Sequence, residues 1–338
     1  MTSPAGPPPH HRPGGGFRNP WPDAELHGLK DLLRWRFVDR RRRTIAPNPP
    51  RDSLPMREPV LLTPRAQPGY RSVTWVGHST VLLQLGELNV LTDPVWSERA
   101  SPVQWLGPRR LMTPGIEFEA LPPIDVVLIS HNHYDHLDAT TVRRLAERFP
   151  EATWLCPTGL SQLLQRFGVR HALECDWWDS VTLPAFSATC APAQHFSSRG
   201  LRDRGDTLWC SWAIQADGMR IYFGGDTGLH PEFGTIGARL GPFDLLLLPI
   251  GAYEPRWFMR PVHMNPEDAI VAYRALAGGA EVLPPCVALH WGTFRLTDEA
   301  VDEPPARFAR RWREAGLPER ANWTLAHGET RRIESGKE

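Results

Sequence analysis

The sequence predicts an α/β fold, a layered sandwich occupying residues 71–330 behind an N-terminal extension. Three observations predict it. Short β-branched or leucine-rich runs lead into helical stretches along two halves of that span, the pattern of sheets covered by helices. FDLLLLPI at 243–250 is almost continuously apolar, as expected of a strand covered on both faces. The 338 residues are 41% hydrophobic, enough for a sizeable core.

The elements follow in chain order. Residues 1–20 are rich in Pro, Gly and His, bury little and are expected to be disordered. The pair His10–His11 within them is a weak metal signal. Residues 21–70 are read as an N-terminal helix and a proline-rich strap. Leu26, Leu29, Leu33 and Phe37 fall near helical spacing over 23–43, and Arg40 to Arg43 suit the negative end of the helix dipole. The same stretch reads as a basic amphipathic anchor on anionic lipid or as a solvated charge run. Seven prolines in 44–69 make an extended strap. From about residue 71, VTWV, TVLLQL, LNVLTD and DVVLIS read as strands. Asp138 caps a helix with Val142, Leu145, Ala146 and Phe149 on its apolar face. Strands follow near 152–155, 187–191, 208–216, 219–224 and 243–250. Asn265 then caps a helix with Pro266 at its first position, Glu267 and Asp268 in its first turn, and Tyr273 and Leu276 facing inward. VALH at 287–290, a helix near 304–314 and a strand near 322–326 complete the chain.

Bulk chemistry narrows the function classes. Lys+Arg and Asp+Glu both number 38, and the core span has no basic, aromatic-interleaved patch, which argues against nucleic acid as a partner. The five cysteines are widely spaced without a C-x-x-C pair, so a disulfide framework is not expected and a reducing compartment fits. No segment approaches the ~20 apolar residues of a membrane span. MTSPAGPPPHHRPGGG lacks the apolar run of a signal peptide. A cytoplasmic protein is expected.

The strongest chemical signal is His131-Asn132-His133-Tyr134-Asp135-His136, an H-x-H-x-D-H run directly after the strand DVVLI. A strand-to-helix loop can aim two histidines at one cation and the Asp–His pair at another. Imidazole and carboxylate ligands suit zinc. His195, Asp226 and His290 each end a predicted strand, and two glycines before Asp226 let the backbone pass close by. Any one of these three alone would more often be a hydrogen-bonded polar group. With the first motif they make seven ligands, enough for two Zn2+ per chain with a position left for water. His78, after a strand in WVGHST, reads as a buried group supporting a ligand.

In the order H-x-H-x-D-H, His, Asp, His, the sequence resembles the metallo-β-lactamase superfamily, whose fold is an αββα sandwich. The resemblance implies that His131, His133 and His195 hold one zinc, that Asp135, His136 and His290 hold the other, and that Asp226 bridges them. The bridging carboxylate and the absence of a cysteine ligand resemble the hydrolase and phosphodiesterase branches. WVGHSTVLL, LTDPVWSERASPVQWLGPRR, DWW at 176–178, GPFDLLLLPIGAYEPRWFM, HMNPEDA and HWGTF further resemble the N-acylphosphatidylethanolamine-hydrolysing phospholipase D family, over roughly 72–330.

Expected chemistry follows from that resemblance. Paired zinc ions lower the pKa of bound water to about 7, and the resulting hydroxide would attack phosphorus in line. Asp135 and Asp226 would serve catalysis through the metals. His263, placed beside them by the resemblance, would orient phosphate or protonate the leaving alcohol, unless it is only a loop histidine. Arg256 would pair with phosphate or bond a loop carbonyl. Trp105, Tyr253 and Trp257, with other apolar loop residues, would bind acyl chains or pack in the core. The expected function is cleavage of N-acylphosphatidylethanolamine to phosphatidic acid and N-acylethanolamine. The alternatives are a lactonase or other small-molecule phosphodiesterase, a nuclease, and a metal-binding protein without catalysis. Expected partners are a phospholipid or other apolar phosphodiester, peripheral contact with the inner membrane face, and a second copy in a homodimer.

Overall fold

The computed structural model of the chain describes residues 8–334 apart from Asp23, Arg43, Leu201 and Gly279. Alternation along its strands sorts side chains into layers. In Thr80–Leu85, Val81, Leu83 and Leu85 join a core shared by two sheets, whereas Leu82 points into a second core on the far face. The first sheet draws on β1 (Arg71–Gly77), β2 (Thr80–Leu85), β3 (Leu88–Thr92), β4 (Val126–Leu128), β5 (Thr153–Pro157) and β6 (His171–Cys175). The second draws on β7 (Ser180–Leu183), β8 (Phe186–Ala191), β9 (Ser211–Ala216), β10 (Met219–Phe223), β11 (Leu245–Pro249), β12 (Cys286–Leu289) and β13 (Asn322–Trp323). The last strand, β14 (Thr330–Arg332), returns to pair antiparallel with β1. Strand orders are β14-β1-β2-β3-β4-β5-β6 and β13-β12-β11-β10-β9-β8-β7, antiparallel at the hairpins and parallel from β3 to β6 and from β10 to β13.

Among the described residues the α-helices are α1 (Leu29–Arg34), α2 (Ala139–Arg148), α3 (Ser161–Arg166), α4 (Phe233–Leu240), α5 (Arg256–Met259), α6 (Pro266–Leu276) and α7 (Glu303–Glu314). Val142, Leu145 and Ala146 of α2 and Leu164 of α3 cover one sheet through Leu91, Val127 and Trp154. Phe233, Tyr273, Leu276, Phe308 and Trp312 of α4, α6 and α7 join the core of the other. The result is an α/β sandwich with helices outside both sheets, the expected αββα layering. Both expected caps are made: Asp138 accepts from Thr140 N at 3.2 Å, and Asn265 accepts from Asp268 N at 2.9 Å. No helix among the described residues is long and apolar enough to cross a membrane.

Two expectations about the N-terminal region change. Residues 8–20 are not a loose tail. A turn closed by His11 N→Pro8 O at 2.9 Å, and a bridge between His11 and Phe17, fold them against the body, where Phe17 is buried. The opportunity for this packing lies on Asp176 and Trp177, far away in sequence, so local composition could not show it. Residues 1–7 lie outside the described residues. The helix expected over 23–43 starts only at Leu29 and continues through a π-helical turn at 35–39. Its buried residue is Trp35, whose Nε1 donates to Asp298 Oδ2 at 2.7 Å. Leu29, Leu33 and Phe37 face outward, 70%, 47% and 56% exposed.

Candidate metal centre

The buried strands of both sheets end along one edge, and the polar residues that follow them converge there. His131 to His136 follow β4, His195 follows β8, Asp226 follows β10 and His290 follows β12. Gly225 turns the chain into Asp226 with φ +56°, and a Cβ there would lie 2.5 Å from the Ser130 Cβ. Only glycine therefore lets β10 deliver its carboxylate this close to the histidine loop. His78 and His290 also take positive φ, 56° and 63°, conformations that non-glycine residues adopt at a cost and that cluster at working sites.

The structure gathers all seven expected ligands. His131, His133 and His195 form one group, and Asp135, His136 and His290 form another that also includes His78. In the first, His131 Nε2 lies 2.8 Å and His195 Nε2 3.1 Å from His133 Nδ1. In the second, Asp135 Oδ2 is 3.5 Å from both His136 Nε2 and His290 Nε2. Asp226 stands between them. Its Oδ2 is 3.1 Å from His136 Nε2 and His290 Nε2, 3.8 Å from His195 Nε2 and 4.0 Å from His131 Nε2.

Hydrogen bonds on the far side of each ring decide what the near side offers. His195 Nδ1 donates to the Val262 carbonyl at 2.9 Å, so in a neutral ring Nε2 is a bare lone pair aimed at His133. His136 Nδ1 is 2.7 Å from Asp93 Oδ2, which likewise leaves Nε2 facing Asp226. A neutral ring held this way sets a lone pair against the carboxylate, so the contact calls for positive charge, a proton on the ring or a cation between the two. His136 Nε2, His290 Nε2 and Asp226 Oδ1 are buried with no aligned hydrogen-bond partner. Donors arranged this way fit divalent cations, and the fit rests on these unpaired ring nitrogens rather than on the motif alone.

The electrostatics point the same way. Burial pushes two of the imidazoles toward neutrality, His133 to about 3 and His195 to about 4, whereas Asp226 and Asp135 outweigh burial at His136 and hold it well above the usual range. For His290 burial opposes charge, but Asp226 and Asp135 outweigh it and raise the group to about 9. Asp135 and Asp226 are held well below the usual carboxylate range, because their histidine neighbours overcome the burial that would raise them. The centre is a buried pair of carboxylates calling for positive charge.

The surrounding residues divide. His263 is buried, its Nδ1 lies 3.8 Å from Asp226 Oδ2, and that nitrogen has no hydrogen-bond partner among the described residues. His78 Nε2 contacts Asp135 Oδ2 at 2.8 Å and supports it, as expected. Of the two expectations for Arg256, the structure has the bond to a loop carbonyl rather than an open phosphate-binding group. The guanidinium donates to the His263 carbonyl at 2.7 Å and pairs with Asp268, so it is committed to shaping the His263 loop. Tyr253 is 1% exposed, which leaves it no open surface to offer a substrate. Trp257 lies on the strap side, edge-on to His27 at 5.2 Å and under Arg34 at 5.1 Å. Trp105 is 76% exposed.

Sequence reading missed Asp93 and Asn19. Asp93 is fully buried after β3 and accepts from Ser130 N at 2.7 Å and Ser130 Oγ at 2.5 Å besides holding His136. Its signal was available: it ends an apolar strand, LNVLTD, as Asp226 does. Asn19 Nδ2 donates to the His195 carbonyl at 3.0 Å, a contact with no local signature.

Comparison with known proteins places this geometry. A model of the beta-lactamase superfamily domain matches residues 88–291. An uncharacterized protein of Mycobacterium tuberculosis is 43% identical over 279 residues, covering 82% of this chain and 72% of that protein. An N-acyl-phosphatidylethanolamine-hydrolyzing phospholipase D of Caenorhabditis elegans is 40% identical over 242 residues, covering 68% and 67%. Igni18, a metallo hydrolase of Ignicoccus hospitalis, shares the fold with a TM-score of 0.58 at 22% identity, covering 78% of this chain and 99% of that one.

Proposed function

This chain belongs to the metallo-β-lactamase superfamily of metal-dependent hydrolases, and from that premise we propose that it is a dinuclear zinc phosphodiesterase. The observation that carries this reading is Asp226, a single buried carboxylate facing both ligand groups. Two divalent ions held there would activate water and neutralise charge on phosphoryl oxygens. The chain's own residues do the rest. Asp93, Ser130 and the Val262 carbonyl fix the ring orientations of His136, His131 and His195. His263 presents a buried Nδ1 with no hydrogen-bond partner among the described residues, 3.8 Å from Asp226 Oδ2, where it would orient a phosphoryl oxygen.

The proposed substrate is an N-acylated phosphatidylethanolamine, cleaved to phosphatidic acid and N-acylethanolamine. The relative in Caenorhabditis elegans, named for that activity, supports the substrate class. So does the outward apolar stripe of Leu29, Leu33 and Phe37 among arginines, which suits peripheral contact with an anionic lipid surface. Trp105 and Leu106 add exposed apolar surface, 76% and 60%.

Acyl-chain length tests this reading. Each buried methylene contributes up to about 0.8 kcal/mol. Six more methylenes, at a third of that value, should raise kcat/KM about tenfold. The series is measured below the critical micellar concentrations, with Trp257→Ala expected to flatten it. A flat series for the unaltered enzyme, or preference for a lactone or an oligonucleotide, would defeat the lipid reading.

A further inference from the structure

Away from this centre, two histidines from the N-terminal segment meet an aspartate that follows β6. His10 Nε2 lies 2.6 Å from Asp176 Oδ1, and His11 Nε2 lies 2.5 Å from Asp176 Oδ2. Side chains adjacent in sequence ordinarily diverge along an extended chain. Here the turn closed by His11 N→Pro8 O bends both rings onto one carboxylate. The two rings pack edge to face with centroids 4.7 Å apart. That is the arrangement of the imidazoles in the main centre, where His131–His133 and His131–His195 pack edge to face at 4.5 and 4.6 Å. His10 is 5% exposed and stacks on Trp177 at 4.2 Å, which fixes its plane. Burial works against ionising Asp176, yet the two histidines and the Trp177 amide hold its carboxyl below the usual range, and each of its oxygens faces one ring.

We propose that His10, His11 and Asp176 form a further metal site, a structural one for zinc or a similar divalent ion, which fastens the N-terminal segment to the body. Two imidazoles and a carboxylate are donors of the kind zinc takes, with water completing the tetrahedron. Each oxygen of Asp176 meets one ring nitrogen, so all three side chains turn their metal-binding atoms to one point. The convergence of two rings, through the Nε2 atoms that commonly bind metals, is what a cation explains. The site also has a route to the main centre. Arg18 N donates to the His10 carbonyl at 2.8 Å, and the neighbouring Asn19 holds the carbonyl of His195. An ion at Asp176 would therefore steady a residue that orients one ligand of the main centre.

The test is zinc content. Untagged full-length protein is stripped with a chelator, dialysed to equilibrium against buffered Zn2+ and measured by elemental analysis. The His10→Gln/His11→Gln and Asp176→Asn variants are expected to hold one ion fewer than the unaltered protein, whatever the occupancy of the main centre. His11→Gln keeps the comparison sound if the double variant folds poorly, because its side chain is 30% exposed and outside the core. Zinc should also slow proteolysis of the N-terminal segment in the unaltered protein and not in His11→Gln. Equal ion counts in the unaltered protein and His11→Gln, with equal proteolysis rates, would overturn the proposal and leave Asp176 as a hydrogen-bonded clamp.

Discussion

Asp226→Asn is expected to lower kcat/KM by about three orders of magnitude while the fold survives. Metal-assisted charge stabilisation is worth several kcal/mol of barrier, and each ~1.4 kcal/mol is tenfold in rate. The Asp226 carboxylate is the one group placed against both ligand sets, 3.1 Å from His136 and His290 and 3.8 Å from His195. Asparagine keeps its size and removes its charge. The loop stays in place because Gly225 and the Ser130–Asp93 hydrogen bonds define it. Circular dichroism should match the unaltered protein, and metal content should fall by at least one ion. Near-normal turnover with an undiminished ion count would show that Asp226 does not join the two groups.

Complete chelation is the second large effect. Activity should drop to background and return when zinc is restored. The melting temperature should fall as well, because stripping the ions leaves Asp226 Oδ1, His136 Nε2 and His290 Nε2 buried and unpaired. A ligand at 1,000 times its dissociation constant stabilises the folded state by about 4 kcal/mol. For a domain of this size that is a shift of about 6–8 °C. Activity that persists after the ions are removed and their absence is verified would contradict the metal-dependent reading.

What could be read from the sequence depended on how local each signal was. The H-x-H-x-D-H run packs four donors into six residues, so its chemistry stands out without a fold. His195, Asp226 and His290 were legible because each ends an apolar strand, and strands of such a sandwich share an edge. Asp93 follows the same rule, but a single aspartate before proline reads as a turn residue until Ser130 and His136 are seen bonded to it. Arg256 carried two readings, phosphate or a loop carbonyl, and only the tertiary contacts with the His263 carbonyl and Asp268 decide for the second. The segment 8–20 failed because its stability comes from Trp177 and Asp176, 166 residues from His10 in the chain. The apolar periodicity of 23–43 shows a helix but not which of its faces is covered. The structure buries Trp35 and turns the leucines outward.

The site of bond cleavage tests the account most directly. N-acylphosphatidylethanolamine is incubated with the zinc-loaded enzyme in water labelled with heavy oxygen, and both products are weighed by mass spectrometry. Phosphatidic acid is expected to carry the label in its phosphate, with N-acylethanolamine unlabelled, as attack on phosphorus requires. Label in the N-acylethanolamine, or no cleavage of this lipid by an enzyme that opens a lactone, would contradict the account.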